Sequence, residues 1–156
     1  MILIDRADRT DAEEILALQK LAYQIEAAIY DDYAIPPLTQ TLEEIEEEFE
    51  AKIFLKAILD GRIIGSVRAF AEGGTCFIGR LIVHPEHQNK GLGARLMREI
   101  EGVCPECTRY ELFTGAKSEK NLYLYQKLGY KPYKTEKVTE KLHFVYLEKL
   151  RGEKRG

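Results

Sequence analysis

Residues 76–101 hold the feature that most narrows the fold of this chain. An apolar run from Cys76 to Val83 ends at His84-Pro85 and is followed by Gln88-Asn89-Lys90-Gly91-Leu92-Gly93-Ala94. Leu92, Leu96, Met97 and Ile100 then recur at spacings of three and four, the period of one helix face. The order is strand, loop, helix, with two glycines where the helix begins. A helix start carries N–H groups without internal partners and the positive end of the helix dipole. Residues without a Cβ let a bulky anion come close to that backbone. Such a seat suits a phosphate or diphosphate, although two glycines could equally serve only the geometry of a turn. No G-x-x-x-x-G-K-[ST] occurs, so a P-loop does not fit. A dinucleotide turn does not fit either: seven residues separate Val83 from Gly91, and its third glycine position is Leu96.

What does fit is Q/R-x-x-G-x-G/A behind L-x-V-x-P, here Gln88-x-x-Gly91-x-Gly93 behind Leu81-x-Val83-x-Pro85. A second stretch, Leu124-Tyr125-Gln126-Lys127-Leu128-Gly129-Tyr130, matches L-Y-x-K-L-G-F/Y. In this order and spacing the two motifs resemble the GCN5-related N-acetyltransferase (GNAT) family. The resemblance implies an α/β fold: a central, mostly antiparallel sheet of six to seven strands with helices on both faces. It also implies acetyl-coenzyme A as cosubstrate, its diphosphate held by residues 88–94.

Composition bounds the rest. At 156 residues with 45% hydrophobic and 31% charged residues, the chain reads as one globular domain, residues 1–150, with a charged tail at 151–156. A net charge of −3 argues against a nucleic-acid surface. No apolar run approaches a membrane span, and residues 1–6 read as a first strand rather than a signal peptide. The pair Cys104-x-x-Cys107 lacks a second pair for zinc and follows a helix, so incidental thiols, no metal and a cytoplasmic location are expected.

Taken in order, residues 2–6 give a strand, and Thr10 with Glu13 reads as a capping box. The helix behind it buries Ile15, Leu18 and Ala22, with Leu21 and Ile25 beside them, and ends before Pro36-Pro37. Thr41 with Glu44 opens a helix burying Leu42, Ile45 and Phe49 and exposing Glu43, Glu46, Glu47 and Glu48. Residues 53–59, 63–71 and 75–83 form a meander with turns at Asp60-Gly61 and Gly73-Gly74. Residues 110–114 give a central strand and 118–128 a helix closed by Gly129. Residues 130–133 and 142–150 give the last strands.

The implied reaction is attack of a primary amine, on a small molecule or peptide, on the thioester. It needs a neutral amine, a stabilised oxyanion and a proton for the leaving thiolate. Carried over from the family, Leu81 and Val83 offer main-chain contacts to the pantetheine arm, and Tyr125 is the general acid. Ser118 and Asn121 share the Tyr125 face of the helix, and either could bond the cofactor amides; Ser118 also reads as a helix N-cap. Relatives often carry a strand glutamate where this chain has Gly79, which leaves the base open among Glu26, Tyr30, Glu72 and Glu111. Glu26 is preferred because its segment should border the acceptor. A module that binds acyl-coenzyme A as a sensor without turnover is the alternative. A homodimer is compatible with the sequence without being specified by it.

Overall fold

A computed structural model describes residues 1–152. Seven strands make one sheet in the order β1-β2-β3-β4-β5-β7-β6. The strands are β1 (Leu3–Arg6), β2 (Ile53–Leu59), β3 (Arg62–Glu72), β4 (Thr75–Val83), β5 (Arg109–Gly115), β6 (Lys131–Lys137) and β7 (His143–Leu150). Every junction is antiparallel except β4 with β5. The helices are α1 (Ala12–Tyr30), α2 (Pro36–Thr39), α3 (Leu42–Ala51), α4 (Leu92–Glu101) and α5 (Glu119–Lys127). Alternation along the strands sends side chains to two cores. Leu55, Ala57, Ile64 and Val67 pack under α4 and α5 with Leu96, Met97 and Leu128. Phe54, Ile63 and Ile82 pack under α1 and α3 with Ile15, Leu18 and Ile45. The expected mixed sheet with helices on both faces is therefore observed.

Several local expectations change. The first capping box is Asp8 with Asp11, around a 3-10 turn, and not Thr10 with Glu13. Thr10 instead donates its N–H to Asp8, a stronger acceptor two residues upstream. Leu21 and Ile25 lie on the exposed side of α1, and Leu42 is exposed at the start of α3. Pro36 and Pro37 open the short helix α2, since a proline in the first turn forfeits no hydrogen bond. Glu48 turns inward to pair with Arg68 and Lys52. Of the expected tail, Arg151 is tied by hydrogen bonds to Thr108 O and Tyr110 Oη, and 153–156 lie outside the described residues.

One irregularity positions the site. β4 and β5 pair only from Thr75–Arg109 to Phe77–Glu111, then part. On its other side β4 stays paired with β3, but Ser66 opposes Ile82 while Arg68 opposes Gly79. β4 thus carries one extra residue, a bulge, and Arg80 within it has φ 48°. A cleft opens in mid-sheet between the C-terminal halves of two parallel strands.

Candidate active site

The anion loop flanks one side of this cleft. Gly91 is the N-cap of α4 at φ 80°, a conformation that suits glycine, and a Cβ there would meet nothing within 4 Å. It supplies no side-chain acceptor, so the first-turn N–H groups of Leu92, Gly93 and Ala94 are not capped by it. Gly93 also has a packing task. A Cβ on it would stand 3.3 Å from Leu124 Cδ2 and 3.8 Å from Leu81 Cδ2, so it lets α4 close onto α5 and β4. Leu92 buries its side chain in the core, while Asn89, Lys90 and Gly91 are exposed beside it. Gln88 directs its amide inward, Nε2 donating to Val83 O at 3.1 Å.

β4 supplies the cleft's inner edge. His84 N–H donates to Ile64 O of β3 at 2.8 Å. Successive residues of a strand point their polar groups to alternate edges. Val83 therefore turns its N–H and C=O to the edge that β5 has left, and Gln88 holds only the carbonyl. The side chains of Leu81 and Val83 are partly buried against the core under α4 and α5.

Between α1 and α5, at the gap where the strands part, lies a cavity of about 250 Å³. α1 contributes Tyr23, Glu26 and Tyr30, the α1–α2 turn Ile35, and α5 Asn121 and Tyr125. The parted strands contribute Gly79, Arg80, Leu81 and residues 112–115, and Leu142 and Phe144 close the far wall. Tyr125 is 7% exposed, and among the described residues its hydroxyl has no hydrogen-bond partner. Burial, then the nearby Tyr23 and Glu26, pushes its pKa well above the ordinary phenol value. Tyr125 therefore stays protonated through neutral and mildly alkaline pH.

Glu26 is held by a buried network. Ser118 Oγ donates to Glu26 Oε2 at 2.5 Å and lies 2.9 Å from Tyr30 Oη. Tyr30 Oη in turn accepts from Lys117 N at 2.9 Å. Asn121 Nδ2 lies 3.5 Å from Glu26 Oε1 and donates to Thr114 Oγ1 at 3.2 Å. Ser118 is 2% exposed, and its hydroxyl makes these bonds in place of a helix cap. Of the four base candidates, Glu26 and Tyr30 line the cavity. Glu72 stands exposed at the end of β3, and Glu111 pairs with Arg109 at 2.8 Å.

Behind α1 sits a second polar cluster. Arg68 is 1% exposed, with Nη1 on Glu48 Oε2 at 2.9 Å and Nη2 on Gln19 Oε1 at 2.5 Å. Burial, aided by the neighbouring Arg80, lowers its pKa to about 10 despite Glu48. Sequence reasoning passed over Arg80 and Tyr23. The signal for Arg80 was present, a lone charge inside the apolar run Cys76–Val83. Tyr23 carries no such mark, since a tyrosine on an amphipathic helix is ordinary.

Known proteins share this fold and parts of the sequence. YqkA, a UPF0157 protein of Bacillus subtilis, is 27% identical over 139 residues, covering 89% of this chain and 40% of YqkA. The L-amino acid N-acyltransferase MnaT of Escherichia coli is 36% identical over 50 residues, 31% of this chain and 29% of MnaT. The chain thus spans less than half the length of these relatives. The PaiA N-acetyltransferase of Thermoplasma acidophilum, solved with coenzyme A, shares the fold at TM-score 0.80 and 19% identity, over 96% of this chain and 99% of its own. The family model for acetyltransferases (GNAT) matches residues 13–130, and the chain belongs to that family.

Proposed function

We propose that the protein transfers an acetyl group from acetyl-coenzyme A to a primary amine of a small molecule or peptide, by direct attack. The observation that carries this reading is the parting of β4 from β5 between two features: the N-terminus of α4 on one side and Tyr125 on the other. The N–H groups of Leu92, Gly93 and Ala94, with Gly91 and the exposed Asn89 and Lys90, would hold the diphosphate. Gln88 keeps the loop in place through Val83 O. The open edge at Leu81 and Val83 would pair with the pantetheine amides, and the free Val83 N–H would face the acetyl oxygen as negative charge develops there. Asn121, at the cavity wall, is the side chain suited to a pantetheine contact; Ser118 acts through Glu26 instead.

In the step itself the amine nitrogen forms a bond to the carbonyl carbon. The C–S bond then breaks, and the sulfur takes the proton of Tyr125. The amine's proton passes to Glu26, which Ser118 and Asn121 hold at the cavity wall. The name N-acyltransferase borne by MnaT supports acyl transfer to nitrogen. The three cysteines are free thiols, in keeping with a reducing, cytoplasmic setting. Among the described residues no helix is long and apolar enough to cross a membrane.

Thiol release from acetyl-coenzyme A in the presence of an amine panel tests the reading. Turnover is expected, and Tyr125→Phe should lower kcat by about 10²-fold with coenzyme affinity retained. Binding without turnover for any amine would mark the protein as an acyl-coenzyme A sensor instead.

A further inference from the structure

The cavity carries a cation that the acetyl transfer does not use. Arg80 sits in the β4 bulge with φ 48°, in a region that side chains other than glycine, asparagine and aspartate seldom adopt. Such outliers persist where the surroundings impose them, and they cluster at ligand sites. Arg80 is half-buried and lines the cavity. Among the described residues no carboxylate lies within ion-pair distance of it. Its neighbour Arg68 is also a cation, and the one carboxylate of that cluster, Glu48, is engaged by Arg68 and Lys52. The bulge therefore adds to the cavity a guanidinium that no carboxylate of the protein pairs directly, where an anion is welcome.

The opposite charge stands across Tyr23. Burial raises the Tyr23 phenol, Arg80 pulls it down through charge and a hydrogen bond, and Glu26 raises it again. One hydroxyl thus senses both a cation and an anion within a cavity of about 250 Å³. Ile35, Pro37, Phe113, Leu142 and Phe144 give the cavity an apolar wall, while Tyr30, Thr114, Asn121 and Tyr125 line it on the Glu26 side. A ligand matching this pattern has an amine, a carboxylate close to it and an apolar body.

We infer that the acceptor is a free α-amino acid with an apolar side chain, its carboxylate held by Arg80 and its amine set beside Glu26. This rests on the acetyltransferase reading and narrows its acceptor. Arg80 is then the residue that decides specificity, because an acceptor lacking the carboxylate leaves a half-buried guanidinium unpaired.

The test compares L-leucine, L-leucinamide and 3-methylbutylamine, which share one side chain, in the thiol-release assay. The wild-type protein should favour leucine in kcat/KM by about tenfold or more over both analogues. The amide has the less basic amine, so chemistry alone would favour it. In Arg80→Asn, chosen because asparagine tolerates a positive φ, the ratio should fall toward one, with Arg80→Lys intermediate. A wild-type ratio near one, or an Arg80→Asn variant that slows all three alike, overturns the inference while leaving acetyl transfer intact. If no amine releases thiol, the acetyltransferase reading fails instead. The subsite is then read by thermal shift: stabilisation by leucine but not leucinamide, lost in Arg80→Asn, supports it, and its absence in the wild type overturns it.

Discussion

Gly115 ends β5 directly against Tyr30, and a single methyl group there should collapse the network that holds Glu26. A Cβ on Gly115 would lie 2.0 Å from Tyr30 Oη and 2.5 Å from Tyr30 Cζ. Tyr30 is 4% exposed and bonded to both Ser118 Oγ and Lys117 N, so it cannot step aside without breaking both bonds. Overpacking of this kind costs about 1–3 kcal/mol, and each lost hydrogen bond about 1 kcal/mol more. Gly115→Ala should therefore destabilise by about 3–5 kcal/mol, which in a domain of this size lowers Tm by roughly 6–20 °C. The backbone at Gly115 is not left-handed, so the loss is steric rather than conformational. Gly79→Ala is the matched control, since a Cβ there meets nothing within 4 Å; it should fall within about 0.5 kcal/mol of wild type. Urea unfolding of Gly115→Ala, Tyr30→Leu and the double variant completes a cycle. In the Tyr30→Leu background the added methyl should cost under about 0.5 kcal/mol, a coupling of several kcal/mol. If Gly115→Ala unfolds like Gly79→Ala, Tyr30 does not occupy that space, and the anchoring of Glu26 through Tyr30 and Ser118 is wrong.

Two further expectations concern pH and charge. Because the Tyr125 phenol is raised above its ordinary value of about 10, kcat/KM should rise as the acceptor amine loses its proton and show no fall near pH 10. A descending limb there that vanishes in Tyr125→Phe would contradict the buried phenol. Burial by itself would raise Glu48, but the hydrogen bond from Lys52 and the charge of Arg68 hold its carboxyl below the ordinary range. Its contribution to stability is thus complete above the unfolded-state value and lost as pH falls through the folded one. Glu48→Gln should cost about 3 kcal/mol at neutral pH by leaving Arg68 unpaired, with a weaker acid dependence; unchanged urea midpoints at pH 7 and pH 4 would count against the pairing.

The parts of the molecule legible in the sequence are those set by near neighbours. Asp60-Gly61 and Gly73-Gly74 fix two hairpins, and Gly91 marks the start of α4, because a few residues determine each of these shapes. What escaped depends on distance along the chain. Glu26 meets Ser118 across 92 positions, and Tyr30 meets Ser118 across 88. No local period encodes such a meeting. The bulge at Arg80 is a slip in register against β3, visible only when both strands are aligned. The first cap was misplaced because Asp8, Thr10, Asp11 and Glu13 offer overlapping capping patterns, and only the backbone decides among them. Gly93 fits both an anion seat and a tight helix contact, and its spacing alone does not tell the two apart.

Where acetyl-coenzyme A sits is the point on which the functional reading turns. A crystal grown with acetyl-coenzyme A should show its diphosphate on the N–H groups of residues 92–94, its pantetheine along the free edge of β4, and its sulfur within reach of the Tyr125 hydroxyl. Coenzyme bound away from the gap between β4 and β5, or absent at saturating concentration, would contradict it.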